Sequence, residues 1–411
     1  MTQDLETSPQ VADFAGLGIE DDLIAALGHG GIRAPFPIQL LAIPDALAGR
    51  DVSGKAQTGS GKTLAFGLPM VQLLEKAHPK RPRGLVLVPT RELANQVTEV
   101  LTLLARSRGM GVVAVYGGAS MKHQIDALRR GVEIVIATPG RLIDLLERKQ
   151  VKLDDVRMVT IDEADQMADM GFLPQVRRIM RELPTEYQTM LFSATLDGQV
   201  ATLVADYMED PVRHEVETPT QTVATMEHRF LKVHHMDKIR VAAQIARSAK
   251  RTLMFVRTKT SCDDVAKKLR DEGVDARAIH GDLYQSKREK ALEQFSSGVT
   301  PVLVATNVAA RGLHIDDVDI VVHYDPPDDP KTYVHRSGRT ARAGEAGLVV
   351  TLVEWDEVNE VVRIQRKAGL NVPIVKMFSN DPRLDDLTAW EPDIDMAPMQ
   401  SKVPGKRRRR F

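Results

Sequence analysis

Short runs of Val, Ile, Leu and Met recur along the chain, separated by longer stretches with apolar residues at helical spacing. In the first half the runs cover residues 85–88, 112–115, 134–136, 158–161 and 190–192. In the second half they cover residues 253–256, 276–279, 302–304, 320–322 and 348–353. Unbroken apolar strands that alternate with helices are typical of parallel sheets covered on both faces. These runs are too many for one compact sheet, so the pattern predicts an α/β protein with two tandem domains.

The boundary between the two domains is predicted at residues 210–224, which contain two prolines and several polar β-branched residues. This composition is typical of an extended linker. It separates an N-terminal domain, residues 1–209, from a C-terminal domain, residues 225–376. Beyond residue 376 the periodicity fades, an acidic segment follows, and the last ten residues carry six positive charges. Residues 377–411 are therefore predicted to form a disordered tail, first acidic and then basic.

Composition excludes several classes of protein. The 411 residues include 55 Lys and Arg against 56 Asp and Glu, so any contact with nucleic acid must come from local sites. A single cysteine excludes an internal disulfide, no Cys/His spacing suggests zinc, and a reducing cytoplasm is expected. No apolar run approaches membrane-spanning length and the N-terminus lacks a signal-peptide pattern, so no membrane partner is expected. Only 4% of residues are aromatic, which disfavours binding of bases by stacking.

Residues 56–63, AQTGSGKT, have the spacing of a phosphate-binding P-loop with alanine at the first glycine position. Small residues let successive backbone N–H groups surround phosphate oxygens, while the lysine reaches the β and γ phosphates and the last hydroxyl binds Mg²⁺. A helix that begins near the lysine adds its positive end. The structural alternative is a glycine-rich turn without a ligand. The predicted phosphate-binding residues are Thr58, Gly59, Ser60, Gly61, Lys62 and Thr63.

Two adjacent acids, Asp162 and Glu163, directly follow the apolar run 158–161. The end of a parallel strand places them at the edge of the sheet where ligands bind. Asp162 is predicted to hold Mg²⁺, mainly through water, and Glu163 to orient and deprotonate the attacking water. Without a P-loop in the same chain, such a pair would more often be a solvated loop.

Residues 162–165 read Asp-Glu-Ala-Asp, and the chain resembles the DEAD-box RNA helicases over about residues 14–370. The motifs occur in the family's order and include the Q motif, residues 31–39, and a C-terminal His-x-x-Gly-Arg-x-x-Arg-x-Gly segment. The resemblance implies two tandem RecA-like domains, ATP and Mg²⁺ as cofactors, RNA as partner, and local unwinding of short duplexes coupled to ATP hydrolysis.

The resemblance also implies roles for individual residues. It implies that the adenine of ATP is recognised by Phe14, whose ring stacks on the base, and by Gln39, which binds the edge of the base. It assigns further nucleotide contacts outside the P-loop to Arg33, Gly312 and His314. It assigns catalysis to Lys62, Asp162, Glu163, His335, and two arginine fingers, Arg339 and Arg342. It assigns coupling of hydrolysis to unwinding to Asp165, Ser193 and Thr195. It assigns RNA contacts to Pro89, Thr90, Arg91, Gly117, Gly118, Thr138, Pro139, Gly140, Arg141, Arg257, Arg288 and Thr306.

A physical argument supports the RNA contacts predicted at Thr90 and Thr138. Thr90 and Thr138 each follow a strand and can cap a helix, so two helix N-termini point outward and can bind backbone phosphates without aromatic rings. Asn307 and His314 depart from the family, which usually has aspartates there. A neutral imidazole has one acceptor nitrogen and loses it on protonation, so weaker recognition of the ATP ribose is predicted if His314 faces it.

Two alternatives remain open from the sequence. One is a DNA translocase of the wider P-loop superfamily, and the other is an RNA-binding scaffold without catalysis. The Q motif and the complete set of catalytic residues argue against them. The sequence does not name the RNA, and both ribosome assembly and mRNA turnover suit such a protein. A monomer is expected.

Overall fold

The computed structural model describes residues 13–56, 59–216, 226–310, 315, 318–340 and 347–392. The chain divides into two compact units, one on each side of residues 217–225. No helix within the described ranges is long and apolar enough to cross a membrane.

The first unit is a seven-stranded parallel sheet with helices on both faces. Its strands are β1 (Val52–Lys55), β2 (Gly84–Leu87), β3 (Val112–Val115), β4 (Ile134–Ala137), β5 (Met158–Asp162), β6 (Gln188–Ser193) and β7 (Val212–Glu215). Its helices are α1 (Asp21–His29), α2 (Pro37–Leu47), α3 (Lys62–Leu73), α4 (Arg91–Ser107), α5 (Met121–Arg130), α6 (Pro139–Glu147), α7 (Ala164–Asp169), α8 (Leu173–Met180) and α9 (Gln199–Tyr207). The strand order is β3-β4-β2-β5-β6-β1-β7.

Alternate residues of the central strands enter two separate cores. Val86 of β2 packs in a hydrophobic cluster with residues of α1 to α4, whereas Leu85 and Leu87 pack in a second cluster with residues of α5 to α9. Both faces of the sheet are therefore buried, which is why the strands read as continuous apolar runs.

The second unit contains another seven-stranded parallel sheet. Its strands are β8 (Glu227–Lys232), β9 (Thr252–Val256), β10 (Ala276–Ile279), β11 (Val302–Thr306), β12 (Ile320–His323), β13 (Leu348–Val353) and β14 (Ile374–Lys376). Its helices are α10 (Lys238–Arg247), α11 (Lys259–Asp271), α12 (Gln285–Ser296), α13 (Asn307–Ala310), α14 (Pro330–Ser337) and α15 (Val358–Lys367), with a 3-10 turn at Pro382–Leu384. The order is β10-β11-β9-β12-β13-β8-β14, which is the order of the first sheet with every number raised by seven. The predicted pair of similar α/β domains is confirmed.

The predicted linker begins too early. Residues Val212–Glu215 form the edge strand β7, which pairs in parallel with β1. His214 lies with its Nε2 2.6 Å from Oδ2 of Asp45 on α2, which fixes the strand to the helix beside it. Strand β7 has one neighbour and exposes alternate residues, so it lacks the apolar run that marks a central strand. The remainder of the predicted linker lies mostly outside the described residues.

The predicted disordered tail also begins too early. Met377, Leu384 and Leu387 are buried in the core of the second unit. Trp390 donates from Nε1 to the carbonyl of Arg383 at 3.1 Å. The guanidinium of Arg229 lies 5.3 Å from the centre of the Trp390 ring, close enough for a cation–π contact. A few apolar residues therefore pack the acidic segment against the second unit, although its overall composition is typical of disorder. Residues 393–411 lie outside the described part of the chain.

Candidate active site

The P-loop lies between the end of β1 and the start of α3. Gly59 and Gly61 have φ of +84° and +87°, a left-handed conformation that favours glycine. A Cβ at Gly61 would overlap Nε2 of Gln39, so both backbone conformation and space require glycine there. Ser60 directly precedes Gly61, and Thr63 directly follows Lys62. Thr58 lies outside the described residues.

The P-loop lysine and the first acid of the DEAD segment lie close together in a buried setting. Nζ of Lys62 is 3.6 Å from Oδ1 of Asp162, and the two residues are 7% and 2% exposed. The strand order β5-β6-β1 explains why Lys62 and Asp162 lie close together, because the carboxyl ends of neighbouring parallel strands share one edge of the sheet. Asp162 Oδ1 also accepts a hydrogen bond from the backbone N–H of Glu163 at 2.9 Å. Glu163 is 7% exposed and has a left-handed φ of +53°, which turns the chain from β5 into α7.

Ser193, the last residue of β6, contacts both the DEAD segment and the strand of the P-loop. Its hydroxyl oxygen accepts from the backbone N–H of Asp165 at 3.1 Å and from that of Thr195 at 3.4 Å. Its carbonyl accepts from the N–H of Ala56 at 2.9 Å. The three residues predicted to couple hydrolysis to unwinding therefore lie together, beside the nucleotide loop.

Gln39 connects the Q motif to the P-loop. Its side chain is fully buried, accepts from the N–H of Phe36 at 2.9 Å and donates to the carbonyl of Gly61 at 2.9 Å. The first bond satisfies a free N–H at the start of α2, as in half of a capping box. Sequence reasoning assigned Gln39 to adenine and missed this support of the loop. Arg33, also predicted to contact the nucleotide, is exposed.

The aromatic residue predicted to stack on adenine is not on the surface. Phe14 is 3% exposed and packs in the core of the first unit, so stacking would require its ring to leave this position. Phe36, by contrast, is 51% exposed, and its ring and Cβ lie beside Gly61 of the P-loop. An apolar residue between two prolines at the start of α2 was the sequence signal that could have identified it.

The predicted RNA-binding motifs of the first unit follow β2, β3 and β4, which are neighbours in the order β3-β4-β2. Thr90 caps α4, because its hydroxyl accepts from the N–H of Leu93 at 3.2 Å. Thr138 occupies the same position before α6, but its side chain makes no capping hydrogen bond, so that part of the prediction is wrong. Pro139 is the first residue of α6 and has no N–H to donate.

Arginines connect these three loops. The guanidinium of Arg91 lies against Gly117 and Gly118, in the space that a Cβ at Gly118 would occupy. Arg141 donates from Nη1 to Gln124 Oε1 at 3.2 Å, and Gln124 donates to the carbonyl of Tyr116 at 3.0 Å. Gln124 is a buried link that the sequence reasoning missed. Of the other predicted RNA contacts in these loops, Pro89 is buried and Gly140 is exposed.

Gly118→Ala is expected to weaken RNA binding about tenfold, because it displaces a guanidinium whose charged hydrogen bond is worth roughly 1.5–3 kcal/mol. The measurement is RNA affinity by fluorescence anisotropy. Gly171→Ala is the matched control, since Gly171 also has a positive φ, +73°, but has open space around its Cβ position. Equal RNA affinities for the two variants would show that backbone strain, and not Arg91, causes any loss.

In the second unit, Thr306 ends β11 and is followed by Asn307, which supports α14, the helix that ends just before the predicted arginine finger Arg339. Asn307 Oδ1 accepts from Nε of Arg336 at 2.6 Å. Arg336 is 4% exposed and donates from Nη1 to the carbonyl of Asp325 at 2.8 Å. Its guanidinium lies 5.1 Å from the centre of the Phe255 ring. Sequence reasoning missed Arg336, whose flanking residues His335 and Arg339 are half-buried.

A neutral aromatic layer lies below this helix. His323 is fully buried, with its ring centre 4.8 Å from that of Tyr333. Burial holds the pKa of His323 well below its ordinary value, and the neighbouring Arg336 and His228 lower it further. The imidazole therefore stays neutral at physiological pH and adds no charge beside Tyr333 of α14.

The other predicted RNA residues of the second unit differ in exposure. Arg257 is half-exposed and lies 3.6 Å from carboxylate oxygens of both Asp328 and Glu357. Arg288 on α12 is only 8% exposed. Gly312, His314 and Arg342 lie outside the described residues, so their roles stay predictions.

The second unit has no P-loop at the position that corresponds to the first. Lys238 begins α10 after β8, as Lys62 begins α3 after β1. The preceding residues 233–237 contain no glycine. Nζ of Lys238 lies 2.9 Å from Glu354 Oε1 and 3.5 Å from Asp325 Oδ1, and the lysine is 3% exposed. Its charge is therefore neutralised internally, and within the described residues the first unit alone has a phosphate-binding loop of this kind.

Two parallel sheets of one topology, with a P-loop and adjacent carboxylates at one sheet edge, define a P-loop nucleotide hydrolase. A family model for DEAD/DEAH box helicases matches residues 36–203, and a model for the helicase conserved C-terminal domain matches residues 232–344. The ATP-dependent RNA helicase CshA of Listeria monocytogenes is 40% identical over 347 residues, which is 84% of this chain and 66% of that protein. The DEAD-box ATP-dependent RNA helicase CshA of Bacillus subtilis is 36% identical over 394 residues, 95% of this chain and 78% of that protein.

A solved structure of S. cerevisiae Dbp5 bound to RNA and ADP BeF3 is similar as well. It is 29% identical, covers 90% of this chain and 96% of its own, and superposes with a TM-score of 0.78. The chain therefore belongs to the DEAD-box family of ATP-dependent RNA helicases. The predicted family and fold class, two tandem RecA-like domains, are confirmed.

Proposed function

We propose that this protein binds the RNA backbone across its two domains and locally separates short duplexes, or remodels RNA–protein complexes, as it hydrolyses ATP. The observation that carries the proposal is the contact set of Ser193. This residue bonds to the DEAD segment and to the P-loop strand within one sheet whose neighbouring strands lead to the RNA motifs. A change at the phosphate site can thus reach the RNA surface through a few short bonds.

The proposed hydrolysis of ATP requires Mg²⁺, but only a few protein ligands to that ion. Among the described residues no group of three His, Cys, Asp or Glu side chains could hold a metal ion. Mg²⁺ in nucleotide sites is commonly held by one or two protein ligands, phosphates and water, so Asp162 and the Thr63 hydroxyl fit it. Bound Mg²⁺ neutralises phosphate charge. Lys62 binds the phosphates, and Glu163 orients the attacking water and accepts its proton.

RNA is proposed to bind by its phosphates. The N-termini of α4 and α6 present backbone N–H groups, and Arg91 and Arg141 lie beside them. Closure of the two domains is proposed to bring His335, Arg339 and Arg342 to the ATP, because an always-charged guanidinium can bind two phosphoryl oxygens. Bending of the bound strand then prevents it from staying paired. We further propose a monomer that acts in the cytoplasm on ribosomal precursor RNA or in mRNA turnover.

The experiment that tests this function compares stimulation of ATP hydrolysis by RNA and by DNA of the same length and sequence. We expect RNA, but not DNA, to stimulate ATP hydrolysis. Equal stimulation by DNA would favour a DNA translocase, and RNA binding without hydrolysis would favour a scaffold.

A further inference from the structure

Five cations form a surface at the amino-terminal edge of the first sheet, opposite the edge that carries the P-loop and the RNA motifs. They precede β2, β4 and β5, which are adjacent in the order β4-β2-β5. Lys80 is half-buried and the other four are exposed. This basic surface consists of Lys80, Arg129, Arg130, Lys149 and Lys152.

Hydrogen bonds hold the loops of the basic surface together. The N–H of Lys152 donates to the carbonyl of Lys80 at 2.9 Å, and the N–H of Lys80 donates to that of Leu128 at 2.7 Å. Nζ of Lys80 lies 3.3 Å from the carbonyl of Lys149, and Arg129 donates to Gln150 Oε1 at 3.2 Å. The charges therefore belong to one connected surface and not to separate flexible loops.

Nearby carboxylates do not neutralise the basic surface. Asp154 and Asp155 both pair with Arg81, and Glu147 pairs with Arg178. Glu133 is buried and lies 4.0 Å from Lys76. Within the described ranges, none of the five cations has a carboxylate oxygen within the 4.0 Å that defines an ion pair. Because Asp154 and Asp155 share the single charge of Arg81, one negative charge offsets one of the five cations. A local excess of about four positive charges thus persists in a chain whose net charge is −1.

We infer that the basic surface is a second binding site for RNA phosphates, used by the part of the RNA that flanks the strand on the helicase motifs. This inference rests on the proposed function. Strands of four residues are about 13 Å long, so one short RNA segment does not cover both edges of the sheet. RNA held at the motifs gives its flanking segment a high effective concentration at the basic surface. Lysines bind phosphate as point charges, without sequence preference.

The test is the triple variant Lys80→Gln, Lys149→Gln and Lys152→Gln, with a triple control that removes the same charge elsewhere. Lys250, Lys267 and Lys367 of the second unit are exposed and suit the control, again by substitution with Gln. Two RNAs are used: a short single strand that covers only the helicase motifs, and the same strand extended by a hairpin. Affinity for each is measured across a range of salt concentrations.

For the extended RNA, the test variant is expected to bind about tenfold more weakly at low salt. Its log–log salt slope should fall by about 2 to 3, because each lost phosphate contact contributes roughly 0.7 to 0.9. Affinity for the short strand and hydrolysis with that strand should match the parent, which also shows that the variant is folded. An unchanged slope on the extended RNA would overturn the inference. So would an equal loss on the short strand or in the control triple, because either result would indicate a general effect of charge.

An acidic peptide is the other ligand that the basic surface could take. If the test variant lost affinity for polyglutamate but kept the extended RNA, the surface would be a protein contact and the inference would fail. If the parent did not bind the short strand at all, the proposed function would be contradicted. The comparison on the extended RNA would still decide the role of the basic surface.

Discussion

Glu163→Gln is expected to lower ATP turnover by about 100-fold or more while ATP and RNA still bind, because loss of a general base costs about 10²–10⁴. Glutamine keeps the size of the side chain. The bond from its N–H to Asp162, 2.9 Å long in the parent, uses only backbone and is retained. The measurement is RNA-stimulated turnover at saturating ATP, together with the affinities for ATP and RNA.

Lys62→Ala is the informative comparison. It removes a ground-state contact to phosphate, so it should weaken ATP affinity first, in contrast to the loss of turnover in Glu163→Gln. Turnover of Glu163→Gln within a few-fold of the parent would show that Glu163 is not the base. Equal losses of ATP affinity in both variants would show that the site had been disrupted as a whole.

Arg339→Ala is expected to lower RNA-stimulated turnover by about 10³-fold or more, the usual effect of removing an arginine finger. Arg339→Lys should recover little of it, because an ammonium does not bind two phosphoryl oxygens in a planar arrangement. Arg366→Ala on α15 is the matched control, since Arg366 is exposed on the same domain and belongs to no predicted motif.

The pattern of kinetic constants distinguishes a finger from a structural arginine. A finger acts on charge that develops in the transition state, so kcat should fall while the affinity for ATP changes only a few-fold. Turnover of Arg339→Ala near that of Arg366→Ala would contradict the assignment. A lowered unfolding temperature of Arg339→Ala would instead indicate a structural role.

The ten apolar runs of the sequence correspond to ten strands, eight of which have a neighbour on both sides. The other two, β3 and β10, are edge strands that are only partly buried. The strands that escaped the pattern are short or polar. Strand β8 contains His228 and Arg229, both about 4% exposed, and would not be read as a buried strand. Arg229 is satisfied by carbonyls of Leu387 and Trp390, far along the chain, and His228 by the hydroxyl of Tyr333. Only tertiary structure supplies such partners.

The candidate site shows the same limit. Lys62, Asp162 and Ser193 could be placed together because each lies at or after the carboxyl end of a strand, and these strand ends share one edge of the sheet. The bond from Gln39 to Gly61, the bond from Asn307 to Arg336 and the burial of Phe14 depend on packing between distant segments. Local spacing carries no information about these contacts. The sequence therefore predicted which residues gather, but not how their supporting residues hold them.

The most direct test of the central claim is strand separation of a short RNA duplex, followed by release of a labelled strand with and without ATP. The full chain should separate the RNA duplex only with ATP and Mg²⁺. It should leave a DNA duplex of the same sequence and length intact. The Glu163→Gln variant should not carry out repeated rounds of strand separation, because it hydrolyses ATP too slowly. Separation of the DNA duplex at the same rate, or separation of RNA at an unchanged rate without ATP, would contradict the account.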